Sequence, residues 1–203
     1  GIQIYRPLLV RSGQQEGLSF VNSDLVSSVK FSSGGFAAKY GDKLSSVLDI
    51  EYKEPIEFGG SAEGSLQGGS VHIEGSPGDH RFTYVAGVRY RTNKYVLSSL
   101  NTKGNYQPNF MDFQTYLTYD ITEKWEIGFL GNIGKNEYKF TPETQQTEFG
   151  TVSDALRLTV FFDGQEVSNF ETYFGAISNS FILSEKSRLQ WNISAFRSFE
   201  DET

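Results

Sequence analysis

From Arg81 to Arg91 the even positions are Phe82, Tyr84, Ala86, Val88 and Tyr90, while the odd ones are Arg81, Thr83, Val85, Gly87, Arg89 and Arg91. Successive side chains of a strand point to opposite faces, so this period of two predicts a strand between two unlike environments. The alternation returns over 111–120, where Met111, Phe113, Leu117 and Tyr119 interleave with Asp112, Gln114, Thr118 and Asp120. It returns over 125–135 with Trp125, Ile127, Phe129 and Ile133, and over 189–199 with Leu189, Trp191, Ile193 and Ala195. Segment 58–67 carries a weaker version. Segment 170–182 mixes the parities, because Tyr173, Ile177 and Phe181 compete with Phe174, Ala176 and Ile182, and its facing stays open. Composition agrees: 15% aromatic residues beside an overall hydrophobic content of only 37% fit strands that carry their apolar load on alternate positions. Seven strands are expected, at 58–67, 71–76, 81–92, 111–120, 125–138, 170–183 and 188–199. No apolar run is long enough for a membrane-crossing helix.

The first 55 residues read differently. Asn22 or Ser23 is placed to cap a short helical turn, since either side chain can accept from the free N–H groups that begin one. Val29-Lys30-Phe31, the turn Ser33-Gly34-Gly35 and Ser46–Ile50 form an expected strand–turn–strand unit. Glu54-Pro55 then interrupts, because proline lacks a ladder donor and restricts its predecessor. The expected division is therefore 1–55 and 56–203.

Connections sort by length. Tight turns are expected at Pro77-Gly78-Asp79, Thr122-Glu123-Lys124 and Ser184–Ser187, with long polar segments at 93–109 and 141–169. Short turns at one rim and long loops at the other suit a transmembrane β-barrel wall. The same alternation suits an antiparallel sandwich, whose apolar face is the inner one.

Candidate chemistry is sparse. Zero cysteines exclude thiol catalysis, disulfides and thiolate metal sites, and a net charge of -7 argues against nucleic-acid binding. His72 and His80 have no ligand-type spacing. Glu74-Gly75-Ser76-Pro77-Gly78 lacks the first glycine of a nucleophile elbow. Neither a phosphate loop nor a dinucleotide fingerprint occurs. Glu63, Glu126 and Glu171 fall on polar strand positions, where a solvated wall explains them better than glycoside hydrolysis. The expectation is a non-enzyme with no catalytic residue, metal or cofactor.

Taken in order, Val29, Gly34, Gly35, Phe36, Ala38, Lys39, Tyr40, Gly41, Leu44, Ser45, Val47, Asp49 and Ile50 form a longer pattern. It resembles the C-terminal part of the plug domain of TonB-dependent outer-membrane receptors, in the style of the Bacteroidetes branch. Ser23 stands where that branch often has proline. The resemblance implies a mainly β chain, with 1–55 the end of a plug and 56–203 about seven antiparallel strands of an incomplete transmembrane barrel. Its plug motif would be Gly34, Gly35, Phe36, Tyr40 and Gly41. It further implies a place in the cell outer membrane and active import of a nutrient (iron complex, vitamin or glycan) powered from the inner membrane. The partners implied are outer-membrane lipid, a TonB-type coupling protein reached through a missing N-terminal segment, the small nutrient ligand and a surface lipoprotein. Nucleic acid is not among them, and open strand edges invite self-pairing of the isolated piece. Tyr95, Asn101, Asn105 and Tyr106 would then help to bind the ligand by stacking and hydrogen bonding. The alternative is a soluble β-sandwich ligand-binding module or a surface adhesin.

Overall fold

The computed structural model describes residues 1–4, 18–35, 37–41, 44–92, 94, 104–150 and 155–203. A 3-10 turn at Ser23–Leu25 comes first, with Asn22 as its cap: the side chain accepts from the Asp24 N–H at 3.1 Å. β1 (Val26–Ser32) and β2 (Val47–Tyr52) then pair antiparallel as the expected hairpin. Gly34 and Gly35 take φ of 81° and 62° between them, a conformation that glycine adopts without steric cost.

The larger unit is a seven-stranded antiparallel sheet of β3 (Gly59–Ser65), β4 (Gly68–Gly75), β5 (Phe82–Thr92), β6 (Gly104–Thr122), β7 (Trp125–Pro142), β10 (Glu166–Ser184) and β11 (Ser187–Glu202). Each strand lies beside the next in chain order, apart from an excursion between β7 and β10. There β8 (Gln145–Gly150) and β9 (Ala155–Val160) form a separate hairpin. The seven expected strands are all present. The two segments read as loops are partly strand: 104–109 opens β6, 141–142 closes β7 and 166–169 opens β10. Pro108 hid the first of these. It lies just beyond the last β5–β6 pair, Thr92↔Asn109, where β6 has lost one neighbour and a missing N–H removes no ladder bond on that side.

Closing a sheet into a barrel requires its first and last strands to hydrogen-bond. Among the described residues β3 and β11 are the outermost strands and do not pair with each other. The expectation of a barrel wall is therefore corrected: the molecule is an all-β structure built on an open sheet.

The two faces of this sheet are unlike. On β6 the even residues Phe110, Asp112, Gln114 and Thr118 are buried, whereas the odd residues Met111, Phe113 and Tyr119 are 54%, 41% and 48% exposed. β7 continues the division, with Leu130, Asn132 and Asn136 buried and Phe129 and Ile133 exposed. β10 settles the facing that its sequence left open: Ser168, Phe170, Thr172, Phe174 and Ala176 turn inward, and Tyr173 and Ile177 outward. The covered face is thus the more polar one.

What covers it is the chain's own N-terminal part. Leu18 and Phe20 join Phe110, Leu130, Phe174 and Ala176 in one apolar cluster, with Ile2, Ile4, Val21, Tyr52 and Tyr116 packed around it. Phe20 meets Phe174 edge-on at 5.0 Å, and Tyr52 of β2 lies 5.1 Å from Tyr116 of β6.

Candidate functional site

Three groupings of side chains stand out. The first fixes residues 19–22 across the inner face. The Arg89 guanidinium donates to both oxygens of Asp112, at 2.9 and 2.6 Å, and to the carbonyls of Val21 and Ser19, each at 2.8 Å. Gln114 acts as a surrogate peptide: its amide donates to the Phe20 carbonyl at 2.8 Å and accepts from the Asn22 N–H at 3.0 Å. Four backbone groups of 19–22 find side-chain partners on the sheet this way, so a polar face can hold an irregular segment. Close approach is part of it: a Cβ on Gly87 would lie 2.7 Å from Asn22 Nδ2 and 3.3 Å from Leu25. Burial beneath this segment pushes the Tyr116 phenol up to about 12 and raises that of Tyr52 further.

The second lies at the β3 edge. Ser61 Oγ is 2.7 Å from His72 Nδ1, His72 Nε2 is 3.3 Å from a Glu74 oxygen, and Lys53 Nζ is 3.1 Å from that same oxygen. The order hydroxyl–imidazole–carboxylate is that of a nucleophile relay. Here Lys53, just after β2, ends the chain and ties it to the N-terminal part. On β7, half-burial raises Glu126 above the ordinary carboxylate range, with Glu54 and Asp120 adding to the rise.

The third is a cleft of about 720 Å³ on the outer face. The ladder builds it from two adjacent rows, Lys135–Glu171–Phe199 and Glu137–Asn169–Asp201, across β7, β10 and β11. Tyr173 closes one side, donating to Glu171 at 3.2 Å and meeting Phe199 edge-on at 6.1 Å. Lys135 holds the other Glu171 oxygen at 3.4 Å, and the Arg197 guanidinium covers the Phe199 ring at 4.3 Å. Carboxylates, one amide, one ammonium and two rings therefore converge at the rim where the long connections emerge.

Of the residues singled out from sequence, Tyr95, Asn101 and Phe36 lie outside the described residues. Asn105 is exposed on β6 opposite Thr141, and Tyr106 follows it opposite Phe140. Gly34 and Gly35 lie with positive φ in the connection between β1 and β2. Tyr40 donates from its hydroxyl to Asp49 of β2, and Gly41 follows in a turn. Glu171 is in the cleft, while Glu63 and Glu126 lie on β3 and β7 away from it. Sequence reading missed Lys135, Glu137, Asn169 and Asp201. Their common signal was outward parity near one rim on three strands, visible only once the register is known.

No family model, no curated protein and no solved structure matches this chain. The resemblance to TonB-dependent receptors gains nothing from those comparisons, and the open sheet contradicts the barrel on which it rested. That reading is corrected throughout. The import function, the outer-membrane location and the lipid, coupling-protein and lipoprotein partners all depended on a closed barrel around a plug. Among the described residues no helix is long and apolar enough to cross a membrane.

Proposed function

We propose that the chain is a ligand-binding β module that works by capture rather than catalysis, and that its ligand is polyhydroxylated. The observation that carries this reading is the convergence of Glu137, Asn169, Glu171 and Asp201 with Tyr173 and Phe199 around a cleft of about 720 Å³. That volume lies within the roughly 300–1,000 Å³ of small-ligand sites. Carboxylates accept hydrogen bonds from hydroxyls, and the Asn169 amide both donates and accepts. The Tyr173 and Phe199 rings offer apolar surface to C–H faces. Glu171 is positioned in advance by Lys135 and Tyr173, which lowers the ordering cost of binding. The Ser61–His72–Glu74 chain is read as structural, because Lys53 ties its carboxylate to the N-terminal part.

Calorimetric titration with glucose, mannose and galactose oligomers tests the proposal. Saturable binding of one of them, weakened at least ten-fold by Tyr173→Ala and by Glu171→Ala, is the expected result (about 1.4 kcal/mol per ten-fold step). Absence of binding across the series, or binding that neither substitution changes, would refute it.

A further inference from the structure

We infer that the ligand of the cleft is an oligomer that runs across the strands, and that Tyr90 and Asn109 form a further subsite for it. The inference rests on the ligand-binding reading and extends it to the length and path of the ligand.

The two rows that build the cleft continue past β7. Lys135 stands opposite Met111 of β6, and Met111 opposite Tyr90 of β5, so the first row runs Phe199–Glu171–Lys135–Met111–Tyr90. Glu137 stands opposite Asn109, so the second runs Asp201–Asn169–Glu137–Asn109. Residues directly opposite in a ladder share a face, which keeps both rows on the outer one.

Tyr90 is 45% exposed, and its hydroxyl donates to Asn109 Oδ1 at 3.1 Å. That bond occupies the amide oxygen and leaves the amide N–H groups as the donors Asn109 offers to a ligand. Both residues sit on interior strands. Tyr90 lies between Gly69 and Met111, and Asn109 between Thr92 and Glu137, so neither owes its exposure to a border of the sheet.

Spacing selects an oligomer. Neighbouring strands lie about 4.8 Å apart, close to the advance of one pyranose unit along a chain. From β11 to β5 the first row crosses the β10, β7 and β6 strands, a span of roughly 19 Å. Phe199 and Tyr173 offer apolar surface at one end of it and Tyr90 at the other. Met111 between them is 54% exposed, and its flexible thioether adapts to an irregular apolar surface. Alongside, carboxylate alternates with amide from Asp201 to Asn109, which meets a succession of hydroxyls with acceptors and donors in turn. A single sugar fills one end of this track; a longer one reaches both.

Calorimetric titration of the full chain with gluco-, manno- and galacto-oligosaccharides, each as disaccharide and as hexasaccharide, tests the path. The hexasaccharide of the series that binds should do so at least ten-fold more tightly than its disaccharide. Tyr90→Ala and Asn109→Ala should each remove most of that gain, on the order of ten-fold for Tyr90→Ala, because truncated aromatic anchors carry the larger losses. The disaccharide, held in the cleft, should bind both variants as it binds the parent, which also shows that they are folded. If Tyr90→Ala loses both ligands, Asn109→Ala decides by the same two readouts. Equal affinity for the two lengths overturns the inference, and so does a length gain that neither substitution reduces. The ligand-binding reading fails differently: no sugar of either length binds, or binding ignores Tyr173→Ala and Glu171→Ala. Binding that needs Tyr173 but ignores Tyr90 and Asn109 refutes the extended path alone.

Discussion

The inner and outer faces of the sheet are written in the same alternating code, yet they resolve in opposite ways. Inward from β5, β6 and β7 point Arg89, Asp112, Gln114 and Asn132, together with Phe110 and Leu130, and all of these are wholly or largely covered. Outward point Val88, Tyr90, Phe113, Phe129 and Ile133, every one of them more than a third exposed. Hydrophobic residues are usually the buried set. Here polar groups are buried because the covering segment at 18–25 is irregular, and its backbone needs partners that apolar side chains cannot give. Alternation reports that two environments differ. Which one is filled by protein depends on what else the chain lays down.

The strongest way to break this contrast is at Arg89. Removing the guanidinium in Arg89→Ala leaves Asp112 charged and buried and strips donors from two carbonyls. A loss of about 3–5 kcal/mol in urea unfolding is expected. Gly87→Val pushes a side chain into Asn22 and Leu25 and should cost about 1–3 kcal/mol, through overpacking at the same interface. The mirror experiment is Ile133→Thr on the outer face, where the change should stay within roughly 0.5 kcal/mol. That variant should also lower the fluorescence of a hydrophobic dye bound to the native chain, since an apolar patch of this size attracts such probes.

A further effect concerns pH. Tyr116 and Tyr52 have phenols raised by burial, so the unfolded chain loses their protons near pH 10 while the folded chain keeps them. Stability is then full below pH 10 and declines as pH rises toward about 12, where Tyr116 ionises in the folded state. Tyr116→Phe should flatten that decline, as followed by phenolate absorbance and by the urea midpoint.

Much of the sheet was legible in advance. Local alternation located 81–92, 111–120, 125–138 and 188–199, and 58–67 more weakly, and the turn chemistry of Gly34-Gly35 and the Asn22 cap read correctly, because each depends on neighbours in sequence. Closure was not legible: whether β3 meets β11 depends on curvature and strand number, and no local pattern encodes either. The β8–β9 hairpin was lost in polar composition, where Gln145–Gly150 has little apolar alternation to detect. The cleft was legible only at Glu171, because its other polar members come from strands about thirty residues apart and meet through register. Arg89 stood out in sequence only as an odd position of the 81–91 run. Its ion pair with Asp112, directly opposite on β6, needed the β5–β6 pairing to be known.

Phe113 and Gln114 are consecutive on β6 and lie on opposite faces, the first 41% and the second 0% exposed. Each can be replaced singly by cysteine in a chain that has none, and its labelling by a water-soluble maleimide followed under native conditions. Rapid labelling at 113 and protection at 114 that is lost only in denaturant is the predicted result. Equal rates, or protection at 113 with rapid labelling at 114, would contradict the assignment of the polar face as the packed one.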